Sequence, residues 1–298
     1  MSGTGFLALL VQMVGSTLRV STPLLFASLG GLMSERSGVV NIALEGMMLV
    51  GGFAAATVAF ATHSSWLGAA AGMGAGLLLA ACYGLFVIQL RADQIVAGTA
   101  INMLAAGITP FLSKIFFEST GSTPSLPLDD RFQSAPIWIA WILVIVCWAW
   151  VTYTPTGVWL RFAGEKPEAL QSAGISVKHV RWCAVLASGV LAGMGGASLS
   201  IFLASSFSRN MTAGRGFMAL AALIFGKWRP GATAVACLLF GFADALQIRL
   251  QGVVLWGTEP VPVQFIQILP YIATVLVLAG AVGKSRAPGA LGVAFKKG

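Results

Sequence analysis

The feature that constrains this chain most is a series of long apolar stretches joined by short polar links. Apolar segments run over 6–33, 41–62, 66–90, 94–117, 136–153, 182–204, 216–226, 231–250 and 263–282. A helix crossing a bilayer core needs about 20 such residues. Only 9% of the chain is charged and 57% is hydrophobic, whereas a soluble domain carries about 25% charged residues. Lipid is therefore the solvent. The expected fold is all-α, a polytopic membrane helix bundle of about 8–10 membrane segments in one membrane domain over residues 1–298. The 216–226 segment is too short to cross, because eleven residues at 1.5 Å reach only about 16 Å. It is either a re-entrant half-helix or joined to residues before Gly214. Non-helical backbone at that depth needs protein or a cavity around it.

The net charge of +8 lies in links between apolar stretches and not on one amphipathic face, so no nucleic-acid partner is expected. Residues 154–181 carry Arg161, Lys166, Lys178 and Arg181, and the tail 283–298 carries Lys284, Arg286, Lys296 and Lys297. The 118–135 stretch instead holds Glu118, Asp129 and Asp130 against Arg131. Lysine and arginine stay on the cytoplasmic side. That rule makes 154–181 and the tail cytoplasmic, 118–135 extracytoplasmic, and the N-terminus outside. The N-terminal stretch lacks a basic leader and reads as the first membrane helix. Cys82, Cys147, Cys183 and Cys237 sit inside apolar runs without CxxC spacing and read as free thiols.

Catalytic motifs do not emerge. Gly283, Lys284 and Ser285 follow Leu278 where a phosphate-binding loop requires glycine. His63 and His179 stand alone, so neither catalysis nor a metal site is expected. In the stretch Ser34–Gly46, Asn41 and Glu45 are four apart and would share a face if helical. A charge at membrane depth costs about 2.5–3.5 kcal/mol, so such residues face the bundle interior or a water-filled path. Glu45 either pairs structurally or serves a pathway; Arg19, Asp244 and Arg249 pose the same choice. Asp93, Gln94, Thr99 and Asn102 form a second polar cluster. It glues helices together or binds a neutral, hydroxyl-rich solute. Asn41, Glu45, Gln94, Thr99, Asn102 and Asp244 are the candidate pathway residues. Gly72/Gly76 and Gly189/Gly193 are spaced for close helix packing.

Within the basic loop, GEKPEALQSAGIS specifies a short helix at both ends. Pro167 suits the first helical position, Glu165 and Glu168 favour the positive end, and Gly174 can stop the helix. Ala169, Leu170 and Ala173 give it a small apolar face. Two turns are marginal alone and need a partner surface. That surface is either the membrane and neighbouring loops, or another protein.

With SERSGVVNIALEGMMLVGGFAA (Ser34–Ala55), GEKPEALQSAGI (Gly164–Ile175), GRGFMALAALIFGKWRP (Gly214–Pro230) and FGFADALQ (Phe240–Gln247), the chain resembles the permease subunits of bacterial ABC importers. The similarity is to the simple-sugar and nucleoside branch, and its wording is most like the nucleoside permeases. Glu168, Ala169, Leu170 and Gly174 resemble the coupling-helix pattern of Glu-Ala-Ala, three residues and Gly, with leucine for the second alanine. The resemblance implies that Glu165, Pro167, Glu168, Ala169, Leu170 and Gly174 couple the chain to an ATP-binding subunit that alone holds ATP and Mg. It also implies a second, unequal permease subunit, an extracytoplasmic solute-binding lipoprotein, and residence in the bacterial cytoplasmic (inner) membrane. An ion-coupled secondary transporter or channel is the alternative, with Glu45 or Asp244 as its coupling carboxylate.

Overall fold

The computed structural model describes residues 3–250, 268 and 286–293. Its elements are α1 (Gly3–Arg36), α2 (Leu44–Thr62), α3 (Ser65–Gly84, ending in a π turn Leu85–Gln89), α4 (Gln94–Phe117), α5 (Ala135–Tyr153), α6 (Pro155–Glu165), α7 (Pro167–Ser172), α8 (Val177–Ser198, ending in a π turn Leu199–Leu203), α9 (Arg215–Phe225) and α10 (Pro230–Leu250). Among the described residues, six stretches are long and apolar enough to cross a bilayer: Leu44–Thr62, Ser65–Gln89, Gln94–Phe117, Leu128–Tyr153, Val177–Leu203 and Pro230–Leu250. Helix α1, with 34 residues, is also long enough. The chain is a multi-pass membrane protein. The helix expected over 263–282 lies outside the described residues but for Ile268.

Glycine builds the centre of the bundle. Helices α2, α3 and α8 meet backbone to backbone: a Cβ added at Gly51 would stand 2.6 Å from the Cα of Gly193, and one at Gly72 would stand 2.8 Å from the Gly51 carbonyl oxygen. One on Gly193 would collide with the Gly72 carbonyl oxygen, and one on Gly76 with that of Gly189. The two glycine pairs singled out in the sequence thus lie against each other. Lipid gives little hydrophobic push between helices, so this close approach and its dispersion contacts hold them. Helix α1 packs against α8 at Gly30, and α10 against α1 at Gly241 and Ser21. Leu24, Leu25, Phe26, Leu29 and Leu32 of α1 are fully buried, the pattern of a helix enclosed on all sides. The outward faces of α4 and α5 instead expose Met103, Phe111, Ile142 and Ile145, as lipid-facing surface does.

The bundle has two chemically distinct ends. At the acidic end the 118–132 stretch is stitched to the end of α8 and the residues after it. Phe132 donates to the Ile201 carbonyl (3.1 Å), Leu126 to that of Ser205 (2.7 Å) and Thr123 to that of Phe207 (3.1 Å). His63, closing α2, sits 2.7 Å from Asp130 there. At the basic end, Ala290 donates to the Gly164 carbonyl (2.7 Å) and Gly292 to that of Gly38 (3.1 Å), so residues 290–292 lie beside α6 and the end of α1. The 154–181 stretch, expected as a loop with one short helix, holds two helices, α6 and α7. The extra one begins at an N-cap, Thr154, whose hydroxyl accepts from the Gly157 amide (3.1 Å), followed by Pro155.

Candidate functional site

Two unwound segments lie within the bundle, and side chains from neighbouring helices satisfy their backbones. The first is 37–43, between α1 and α2. Gly38 takes φ +94°, which glycine alone adopts freely. The Val40 amide donates to Gln94 Oε1 (2.7 Å), and Tyr83 donates to the Val40 carbonyl. Asn102 spans the junction with α2: its Nδ2 donates to the Ile42 carbonyl (3.0 Å) and its Oδ1 accepts from the Gly46 amide (2.8 Å). Buried backbone polar groups in lipid-immersed protein must find such partners.

Helix α2 starts at Leu44, later than the sequence pattern suggested, so Asn41 and Glu45 do not share a helical face. The turn at Gly38 and the need to redirect the chain delay the helix. Asn41, fully buried, donates from Nδ2 to Ser188 Oγ of α8 (2.7 Å) while its Oδ1 has no partner. Glu45 reaches a different neighbour, the second unwound segment.

That segment, 204–214, leads from the end of α8 into α9. Three left-handed residues bend it: Asn210 (φ 58°), Ala213 (φ 45°) and Gly214 (φ 83°). Helix α9 is therefore a half-helix, which decides between the two readings of 216–226. Its N-terminus is held by Glu45, whose Oε1 accepts from the Gly214 amide (2.9 Å) and Oε2 from the Gly216 amide (2.6 Å). A carboxylate there satisfies orphan amides and opposes the positive end of the helix dipole. Arg215 stands 3.7 Å from Asp244 of α10. The buried Thr212 hydroxyl and the Arg215 Nε lack partners. Glu45 thus meets backbone amides, and Asp244 the arginine.

Of the remaining pathway candidates, Gln94 and Asn102 converge on the 37–46 turn. Thr99 faces outward on α4, and its hydroxyl bonds back to the Ile95 and Val96 carbonyls (3.1 and 2.9 Å). Sequence reasoning passed over Tyr83 and Ser188, polar groups within apolar helices, and Arg181, read only as a topological charge. The other intruders are placed at α1: Arg19 lies over the Phe202 ring (5.1 Å to its centroid) and Arg249 reaches Gln12 (3.3 Å).

At the basic end, α7 takes the form its sequence specified. Pro167 opens it, and Gly174 closes it at φ +81°. The Gly174 amide donates to the Gln171 carbonyl (2.9 Å) and the Ile175 amide to that of Leu170 (3.2 Å), the paired bonds of a Schellman stop. Its three apolar residues do not share one face. Leu170 is buried with Ala163, Val177 and Ile175, while Glu168, Ala169 and Ala173 are exposed. The leucine anchors the helix and leaves a small, flat outer surface. Glu165, ending α6, accepts from the Gly289 amide (3.3 Å).

A helical membrane bundle with interrupted helices around buried polar groups, and a capped helix offered to the exterior, has the architecture of a transport permease. Residues 13–279 match the family described as branched-chain amino acid transport system / permease component, and the chain belongs to that family. It is therefore the membrane-embedded component of a transport system. It is similar to the nucleoside ABC transporter permease protein NupC of Lactococcus lactis, at 36% identity over 95% of this chain and 96% of that one. The guanosine ABC transporter permease protein NupQ of Bacillus subtilis is 37% identical over 96% of each. A second guanosine ABC transporter permease protein of Bacillus subtilis, NupP, is 26% identical over 94% of this chain and 86% of its own.

Proposed function

We propose that this chain is the membrane-spanning permease subunit of an ABC importer that brings nucleosides into the cell by ATP-driven alternating access. The observation that carries the reading is α7: a helix stopped at both ends, anchored inward by Leu170, with Glu168, Ala169 and Ala173 turned outward at the basic end. On this reading the basic end faces the cytoplasm of a bacterial cell and the 118–132 stretch faces out, in keeping with the distribution of lysine and arginine. An ATP-binding subunit grips α7 and holds the ATP and Mg, and an extracytoplasmic solute-binding lipoprotein delivers the solute to the acidic end. NupQ and NupP, two unlike permeases of guanosine in one organism, support a heterodimer with a second permease subunit.

The pathway follows the two unwound segments, where the unpartnered Asn41 Oδ1 and Thr212 hydroxyl offer hydrogen bonds to an uncharged solute. Glu45, Gln94 and Asn102 shape that lining and Asp244 sets its charge with Arg215, while Thr99, on the outward face of α4 with its hydroxyl bonded to its own helix, lies away from it. The test is charge reversal at the exposed Glu168. With Glu168→Lys, the ATP-binding subunit should no longer co-purify, while the permease still inserts and pairs. Undiminished co-purification removes the coupling role of α7. ATP-dependent guanosine uptake by the reconstituted four-part system completes the test; uptake by the chain alone on an ion gradient would favour a secondary transporter.

A further inference from the structure

A cavity of about 500 Å³ opens at the basic end, between the π turn of α3, the start of α4 and the α7–α8 junction. Three cations line it, Arg91, Lys178 and Arg181, and no carboxylate does. Arg181 is only 3% exposed. Its guanidinium donates to the backbone carbonyls of Ser37 (3.1 Å), Val293 (2.9 Å) and Ala163 (3.4 Å). Carbonyls satisfy donors without cancelling charge, and among the described residues no carboxylate pairs with this arginine. The nearby Asp93 brings a negative charge but does not line the cavity; its Oδ1 caps the start of α4, accepting from the Ile95 and Val96 amides (both 2.9 Å). Arg91 is held at the cavity mouth in a left-handed turn (φ 56°). A partly desolvated positive charge beside two others makes a field that an anion neutralises.

The rest of the wall suits a larger body than a bare ion. Val39, Val87 and Val177 supply apolar surface, and the side chains of Gln89 and Gln171 supply donors and acceptors. The volume falls within the range of about 300–1,000 Å³ usual for small-molecule sites. Gln171 and Gly174 belong to α7 and its stop, so an occupant touches the element assigned above to the ATP-binding subunit.

We propose that this cavity is a regulatory site for a phosphate monoester of a nucleoside, through which product accumulated inside slows import. The inference rests on the proposed function for its side of the membrane and its ligand class. An imported nucleoside is uncharged. Phosphoryl transfer to its hydroxyl is the class of reaction that traps it, and the product carries the anion this site lacks. An anionic phospholipid headgroup presents the same phosphate chemistry, so the test separates the two sources.

The complete transporter is placed in nanodiscs of phosphatidylcholine alone, and binding of guanosine 5′-monophosphate is compared with guanosine. Saturable binding of the phosphate form is expected, with Arg91→Glu and Lys178→Glu each weakening it at least tenfold. In proteoliposomes of the same lipid, guanosine uptake in the absence of the monophosphate should stay at the wild-type rate, and its inhibition by monophosphate on the side of the ATP-binding subunit should vanish in both variants. The ATP-binding subunit's own nucleotide site is unaffected by these substitutions, so only the difference between variant and wild type is read. In discs containing phosphatidylglycerol, loss of monophosphate binding together with charge-dependent lipid retention assigns the site to the headgroup. Binding of either species undiminished in both variants, or of neither in any disc, overturns the proposal. Guanosine uptake by the wild-type transporter in those proteoliposomes reports separately on the nucleoside reading.

Discussion

Replacing Glu45 by glutamine tests how the half-helix is held. In the wild type each carboxylate oxygen takes one amide, Gly214 at 2.9 Å and Gly216 at 2.6 Å. Glutamine keeps one acceptor but turns an NH₂ toward the other amide, donor against donor. A hydrogen bond to a charged group contributes about 1.5–3 kcal/mol net, and the charge at the start of α9 adds roughly 0.3–1 kcal/mol. Loss of one bond and the charge therefore comes to about 2–4 kcal/mol. For a chain of 298 residues each kcal/mol shifts a midpoint by about 2 °C. The thermal midpoint of the purified transporter in detergent should fall by roughly 4–8 °C with Glu45→Gln and further with Glu45→Ala. Glu45→Asp keeps the charge on a shorter arm and should fall between wild type and glutamine. An ion-coupling carboxylate would behave otherwise, since glutamine mimics its protonated form and costs little stability. A midpoint unmoved by Glu45→Gln refutes the capping account.

Other substitutions probe the remaining anchors. Gly193→Val drives a side chain into the Gly72 carbonyl and the Met73 backbone and should cost at least the roughly 1–3 kcal/mol of overpacking, seen as lost yield of folded protein; Gly74→Ala, with nothing within 4 Å, should fold normally. Trp228 donates from Nε1 to the buried Glu35 carboxylate at 2.6 Å. A double-mutant cycle of Trp228→Phe with Glu35→Ala should show a coupling of about 1.5–3 kcal/mol in thermal stability; additive effects would mean the bond is idle. Leu170→Ala should loosen α7 by about 2 kcal/mol or more, read as faster proteolysis within 166–175, whereas Ala169→Ser on the exposed side should leave proteolysis unchanged.

What the sequence disclosed and what it hid follow from the range of the forces involved. Spanning helices are written in local hydropathy, so their positions could be read to within a few residues, as for α4 and α10. Helix α7 was legible because proline, glutamate and glycine act on their own backbone. Helix α6 carried equally local signals in Thr154 and Pro155, overshadowed by the charges around them. The start of α2 was misplaced because an i,i+4 pattern says nothing about a turn at Gly38 whose amides and carbonyls are met by Gln94, Tyr83 and Asn102 from remote helices. Partners separated by 40 residues or more leave no periodic trace.

The same remoteness gives the polar residues a common logic. In water, an interrupted helix is hydrated at its broken ends; in a bilayer, a side chain must replace that water. Glu45 does so for the start of α9, Asn102 for the turn into α2, and Arg36, whose Nε donates to the Trp228 carbonyl at 2.8 Å, for the end of α9. Each stands on one helix and serves the backbone of another. For these three residues, polarity inside an apolar sequence marks where some other segment is unwound. Such anchors fix the unwound segments by a few directional bonds and not by area. A segment so held can be released by breaking two or three bonds while the glycine-packed helices α2, α3 and α8 stay together, which is the division of labour that moving a solute past a rigid bundle requires.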